Sequence, residues 1–390
     1  MRSGFPGETP DVDTASGRMD PLPWIALNIV GGVGSVLYKR LILRFESPES
    51  VFKAGRAELA QVEGMGLKAL TAIKDFRDWE KASGELEKAK ALGAAVVTFQ
   101  DPRYPQNLKE IHDPPPYLYV KGELTAGDKV AVAMVGSRKA SHYGLTETKK
   151  IARELAGKGV TVVSGGASGI DTAAHDGAIL GGGRTIAVLG CGIDVTYPRE
   201  NGELFDKIAE NGAVITEYPM GTPPDRANFP PRNRIISGIS MGVIVMEAAE
   251  KSGSLITAAY SVEQGREVYA LPGSVGSSTS KGTNALIKKG AKLVAGPDDV
   301  LEDLLPYMKG YLKELGLDYG DKKEAPAIPM PSLTADELAV YGHISVEPVH
   351  VDVISGKSGF PVSKTLSVLL DMELKGAIRQ ISGMRYVREI

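Results

Sequence analysis

The spacing of apolar positions changes character several times along the chain. From Leu22 to about Leu92 apolar residues recur at helical spacing: Leu37, Leu41 and Phe45 stand four apart, and Leu59, Val62, Leu67 and Leu70 continue the pattern. Two short glycine turns, Gly32-Val33-Gly34 and Gly64-Met65-Gly66, fall between helical stretches. That shape fits helix–hairpin–helix (or SAM-like) units, whose turns offer backbone N–H groups to a phosphate. It equally fits a small bundle of glycine-terminated helices. Over residues 93–122 the periodicity breaks at Asp101-Pro102, Tyr104-Pro105 and Pro114-Pro115-Pro116, which predicts an extended connector without a helix.

From Lys129 to about Tyr307 short β-branched runs alternate with amphipathic stretches. Strands are expected at 130–135, 160–164, 185–189, 213–216, 243–247 and 267–271, with helical patterns such as 145–155, 255–264 and 284–289 between them. Runs apolar on both faces, each followed by a helix, predict an α/β fold with a mainly parallel sheet covered on both sides. Residues 311–332 read as a linker, with Lys322, Lys323 and Glu324 followed by Pro326, Pro329 and Pro331. Residues 333–390 then read as a small domain of three helices and a closing hairpin turning at Ser382-Gly383. That order is a winged-helix arrangement or a generic three-helix cap. Residues 1–20 are small, polar and aperiodic, and are expected to be disordered, with Met19 a possible natural start.

Composition narrows the class. A length of 390 residues implies two or three domains, and 43% apolar with 24% charged residues is ordinary for a soluble protein. No apolar run is long enough to span a bilayer, and the N-terminus lacks the apolar core of a signal peptide. A single cysteine, Cys191, excludes an intrachain disulfide and a cysteine-clustered zinc site. A cytoplasmic protein without membrane contact is therefore expected. The net charge is −3, and residues 123–300 carry 19 Lys and Arg against 19 Asp and Glu. Any surface for phosphates must come from local clustering.

In a parallel sheet, ligands gather beyond the carboxyl ends of the strands, where glycine loops and helix N-termini present backbone donors. The segments following the expected strands are Gly136-Ser137-Arg138, Ser164-Gly165-Gly166-Ala167-Ser168-Gly169-Ile170-Asp171, Gly190-Cys191-Gly192 leading to Arg199, Pro231-Arg232-Asn233-Arg234, Lys251-Ser252-Gly253-Ser254 and Leu271-Pro272-Gly273-Ser274. Their glycines permit close approach. Arg138, Arg199, Arg232, Arg234 and Lys251 supply charge, while Ser137, Ser168, Asn233, Ser252 and Ser254 can donate or cap. An anion-binding rim is expected.

The catalytic motifs tested against this rim do not fit. A dinucleotide fingerprint fails because Ser164 stands where its first glycine should be, and no Walker sequence exists. Gly238-Ile239-Ser240-Met241-Gly242 matches a nucleophile elbow in spelling, but it precedes a strand and no histidine follows before His343. The five histidines form no i,i+4 metal pair. Neither a catalytic constellation, a metal site nor a cofactor is expected.

The ordered set of strand-end motifs, with Ser252-Gly253-Ser254-Leu255-Ile256-Thr257 and Gly282-Thr283-Asn284 among them, resembles the DNA-processing protein DprA (Smf) family over nearly the whole chain from Pro21. The resemblance implies an extended Rossmann-like, doubly wound domain over residues 93–310, preceded by the helical region 21–92 and followed by a winged helix at 333–390. It also implies single-stranded DNA as the ligand, protection of incoming DNA in natural transformation, help in loading the recombinase RecA, and a homodimer formed through the Rossmann domain. Arg138 matches a family DNA contact. The expected contacts are Gly136, Ser137, Arg138, Gly165, Gly166, Ser168, Gly169, Arg199, Arg232, Asn233, Arg234, Lys251, Ser252, Gly253 and Ser254. Ser168 stands where the family often has a basic residue, a loss that Arg199 or Lys251 could offset. Two other readings remain: a lysine-decarboxylase-like hydrolase of a nucleoside monophosphate, whose P-G-G-x-G-T-x-x-E pattern is missing here, and a transcriptional regulator using the winged helix, whose candidate recognition helix is nearly neutral.

Overall fold

The computed structural model describes residues 20–314, 332–345, 348–381 and 383–388. The expected disordered tail up to residue 19, linker residues 315–331 and Ser382 of the expected hairpin turn lie outside them.

Six helices open the described chain: Leu22–Ile29, Ser35–Phe45, Pro48–Lys53, Arg56–Ala60, Leu67–Lys74 and Trp79–Ala91. Local chemistry sets their ends. Ser47 accepts the Ser50 N–H at 3.2 Å, with Pro48 at the first helical position, where its missing N–H costs nothing. Trp24, Leu27, Tyr38, Leu41 and Ile73 are fully buried at the centre of this region. The Tyr38 hydroxyl donates to the Trp24 carbonyl at 3.0 Å, so the buried phenol is satisfied. The same core reaches the sheet, since it includes Tyr117 and Tyr119 and packs Ile193 and Met220 against it.

Nine strands form one sheet: β1 Ala95–Thr98, β2 Tyr117–Gly122, β3 Ala131–Gly136, β4 Thr161–Ser164, β5 Thr185–Val188, β6 Gly212–Thr216, β7 Gly242–Glu247, β8 Glu267–Ala270 and β9 Lys292–Leu293. Their order is β1-β2-β6-β5-β4-β3-β7-β8-β9. β3 to β9 pair in parallel, whereas β1 with β2 and β2 with β6 run antiparallel. The extended connector expected over 93–122 is corrected here: it supplies two strands of the sheet and a short helix, Gln106–Lys109. Prolines bar a helix only from its interior. Pro105 precedes the helix, and Pro116 directly precedes β2, where φ fixed near −65° suits an extended chain.

Both faces of the sheet are covered, as the apolar runs predict. Val162 faces one core with Ile151, Leu155 and Ala174, and Val163 faces the other with Ile235, Ile239 and Ala258. Each such valine contributes roughly 1.5–3 kcal/mol by burial. The order reverses at β3, flanked by β4 and β7. The helix after β3, His142–Gly157, packs on one face and the helix after β7, Ser254–Glu263, on the other. A crevice therefore opens at the carboxyl ends of these neighbouring strands.

A separate core built on Val340, Ile354, Leu369, Met372 and Ile378 organises the C-terminal region. Helices Ala335–Tyr341, Val351–Ser358 and Val362–Leu374 surround it, and Thr334 and Glu337 form a capping box at the first. Three strands complete the winged helix: β10 Val349–His350, β11 Ile378–Ile381 and β12 Arg385–Arg388, in the order β10-β12-β11. β10 directly precedes helix Val351–Ser358. Among the described residues no helix is long and apolar enough to cross a membrane.

Candidate nucleic-acid interface

The loop after β3 is held by backbone. Ser137 N–H donates to the Glu247 carbonyl at 2.8 Å and the Ser137 carbonyl accepts from Ile170 N–H at 3.2 Å. Its hydroxyl accepts the Lys139 N–H at 3.1 Å, which leaves the Arg138 side chain exposed. The loop after β4 presses against it. Gly169, at φ +84°, would drive a Cβ to within 2.5 Å of the Ser137 carbonyl oxygen, so only glycine fits. Gly165 meets the Arg232 guanidinium and the Asp171 carboxylate at 2.4 and 2.7 Å from where its Cβ would stand. Gly136 and Gly166 are likewise packed tightly, so these glycines serve loop packing at least as much as ligand approach. Ser168 donates its hydroxyl to Glu200 at 2.9 Å.

Two of the arginines expected on the rim are not on it. Arg232 is buried, donating to the carbonyls of Gly165, at 2.7 Å, and Val188. Beside it Asp171 accepts the Ala167 N–H at 3.3 Å. Burial pushes the Asp171 carboxyl up while Arg232 pulls it back, and burial likewise pushes Arg232 down. His175, one turn beyond Asp171, is driven down to about 3 by burial and by Arg232, so it is neutral. Arg234 is 6% exposed and ion-paired with Glu217 at 2.6 Å and Asp113 at 3.0 Å, tying the proline-rich segment to the end of β6. These arginines sit on helix Phe229–Ile239, which is buried on both sides, with position 232 and positions 234 to 239 all inside. Asn233 is half-buried between them.

One exposed cation, Arg138, lies instead beside an aromatic pair. The Arg138 guanidinium lies 5.0 Å from the centroid of Phe229, whose ring stands 5.8 Å from that of Tyr197. Lys139, Arg199, Arg226 and Lys251 are exposed on the loops after β3, β5, β6 and β7. Ser252 and Ser254 share a hydroxyl contact of 2.8 Å at the start of the helix after β7, and Gly253 is exposed between them. Aromatic faces beside cations suit unpaired bases and their phosphates, because stacking accepts any base and the cations track the backbone.

The carboxylates at the strand ends are already engaged. Glu247, 4% exposed, accepts the Ser141 N–H at 2.7 Å at the N-terminus of helix His142–Gly157, a role that suits a negative group. The loop after β8 is closed by Asn284, which exchanges hydrogen bonds of 3.3 and 2.9 Å with the Gly273 backbone. Ser240 is buried and donates to the Ile236 carbonyl at 2.9 Å, so the nucleophile-elbow spelling has no elbow. Burial pushes the Cys191 thiol up to about 11, leaving it a poor nucleophile.

Comparison with known proteins places this architecture. The model of the DNA recombination-mediator protein A family matches residues 95–305, which contain the sheet and every loop just described. The chain belongs to this family. A DprA winged helix domain model matches residues 323–384. The chain is 37% identical over 389 residues to Protein Smf of a Synechocystis species, covering 94% of this chain and 98% of that protein. It is 47% identical over 203 residues to DNA processing protein DprA of Streptococcus pneumoniae, covering 52% and 72% respectively. The solved structure of DprA from that species superposes with a TM-score of 0.63 at 38% identity, over 73% of this chain and 98% of that one.

The sequence reading did not single out Phe229, Tyr197, Arg226 or Lys139 as contacts. Phe229 stands three residues before Arg232 in Asn228-Phe229-Pro230-Pro231, and an aromatic at the opening of a helix after a strand end was the available signal. The burial of both arginines was not readable from helical phase, because positions 232 and 234 lie about 200° apart and the helix is buried on both sides.

Proposed function

We propose that this member of the family binds single-stranded DNA at the carboxyl ends of β3 to β7, with Arg138 and Phe229 at the centre. The observation that carries the reading is the exposed Arg138 guanidinium on an aromatic face, with further exposed cations on the other strand-end loops, on a chain with no net positive charge. In this reading Arg138, Lys139, Arg199, Arg226 and Lys251 meet phosphates, Phe229 and Tyr197 stack on bases, and Ser137, Asn233, Ser252 and Gly253 donate at the edge, with the buried Ser254 holding Ser252 from behind. Gly136, Gly165, Gly166, Ser168 and Gly169 shape the floor, and Arg232 and Arg234 hold it from below.

The family resemblance extends the proposal to a cytoplasmic homodimer that shields incoming strands and helps load the recombinase RecA during natural transformation. The protein is proposed to act by binding, without turnover, since Glu247 and Asp171 are committed to holding loops.

The test is titration of a fluorescent oligothymidylate by anisotropy with wild type and Phe229→Ala. Loss of a stacked base should weaken binding by about 1–3 kcal/mol. Equal affinity of the two proteins would refute the site. RecA nucleation on coated strands, with and without this protein, tests the loading role.

A further inference from the structure

We propose that Glu85, in the N-terminal helical region, is a positioning residue for the DNA-facing loop between β6 and helix Phe229–Ile239. The inference rests on the reading of that loop as a DNA contact. Glu85 lies on helix Trp79–Ala91, yet its Oε1 accepts the backbone N–H of Met220 at 2.5 Å. The next N–H, that of Gly221 at φ +75°, points at both oxygens of Asp194, at 2.8 and 2.9 Å. Two successive backbone donors in one turn are thus each held by a carboxylate, the charge-assisted form of the bond.

The rest of the loop leaves Arg226 little independent freedom once this turn is fixed. Gly192 N–H donates to the Thr222 carbonyl at 2.9 Å, the Tyr218 hydroxyl to the Asn228 carbonyl at 2.9 Å, and Ala227 N–H to the Asp225 carboxylate at 2.7 Å. Arg226 and Phe229 follow directly. Asp194 is supplied by the Rossmann-like region itself. Glu85 is supplied by the helical region, and Met220 and Ile193 pack against that region's core beside it. The same Glu85 oxygen accepts the Tyr119 hydroxyl at 3.0 Å, which anchors the carboxylate to β2. Without Glu85 the turn would be held from one side only. Binding DNA would then have to order the loop as well as contact it, and ordering costs affinity.

The experiment uses the full chain, anisotropy with a fluorescent oligothymidylate, and thermal melting. Glu85→Ala is expected to bind about 3- to 10-fold more weakly, in the lower part of the coupling range between neighbouring groups, although it removes a negative charge. Glu85→Gln keeps an oxygen acceptor and should recover most of the affinity, and Tyr119→Phe, which leaves the Met220 contact in place, should bind like wild type. In an Arg226→Ala background Glu85→Ala should cost clearly less than it does in wild type. Its plot of log affinity against log salt should flatten as the Arg226→Ala plot does. If Glu85→Ala does not fold, Glu85→Asp, one carbon shorter, carries the test with the same expected direction. Wild-type affinity in the truncated variant, full additivity with Arg226→Ala, or an equal loss in Tyr119→Phe would overturn the positioning role. Absence of DNA binding by wild type, or no effect of Arg226→Ala, would instead overturn the DNA reading of the loop.

Discussion

Arg138→Ala separates a ligand contact from a structural one better than any other single change. The side chain is exposed and its resolved partner is the face of Phe229 at 5.0 Å. Losing a cation–π contact at an exposed site costs about 0.5–1 kcal/mol. Part of that returns, because Arg138 disfavours the charge on buried Arg232. A domain of this size should therefore melt within about 2–4 °C of wild type. A charged hydrogen bond to a phosphate contributes about 1.5–3 kcal/mol, which is a factor of about 10–150 in Kd. Removing one phosphate contact should also lower the slope of log affinity against log salt by about 0.7 for a single strand. The assay is anisotropy of a labelled oligothymidylate at four or more salt concentrations, alongside a melting curve. An unchanged Kd with an unchanged melting temperature would refute the contact, and a collapse in melting temperature would show Arg138 to be structural.

Arg232→Ala should do the reverse, destabilising the fold by about 1–3 kcal/mol because the buried carbonyls of Gly165 and Val188 lose their donor; chemical denaturation reads this, and an unchanged stability would contradict the structural role. His175 is pushed down to about 3, below its unfolded value, so the unfolded chain takes up a proton that the folded chain refuses. Its contribution is complete above about pH 6.5 and falls as pH drops toward 3, by up to about 1.4 kcal/mol per pH unit, and His175→Asn should flatten stability against pH in that window. Deleting residues 315–390 should leave a folded core with unchanged affinity for single strands, because the winged helix has a core of its own; loss of binding would contradict this. The isolated winged helix should not bind duplex DNA at micromolar concentration in physiological salt, since helix Val362–Leu374 exposes Leu370, Leu374 and Asp371 and its Lys364 is paired with Asp336 at 2.8 Å.

Much of the α/β region was legible in the sequence because each β-branched run is buried on both faces and followed by a helix, so period and composition agree. β1 and β2 were not, because the prolines between them mask two short strands that join the sheet antiparallel. The rim was legible as glycine loops at strand ends. Which cations stay exposed was not, because helix Phe229–Ile239 is buried on both sides and its Arg232 and Arg234 are taken up by carbonyls and carboxylates. Phe229 escaped notice because a lone aromatic before two prolines reads as a turn until Arg138 is seen over its ring. The contact from Glu85 to Met220 spans 135 residues and leaves no mark in local pattern.

The central claim is a surface that takes unpaired bases and their phosphates. Its most direct test is competition by unlabelled single strand, matched duplex and free nucleoside monophosphates against one labelled oligothymidylate, at a single salt concentration. Stacking on Phe229 and Tyr197 requires bases released from pairing, so the single strand should compete at least tenfold better than the duplex, and the monophosphates should not compete. Equal competition by the duplex, or displacement by a monophosphate at similar concentration, would contradict the account.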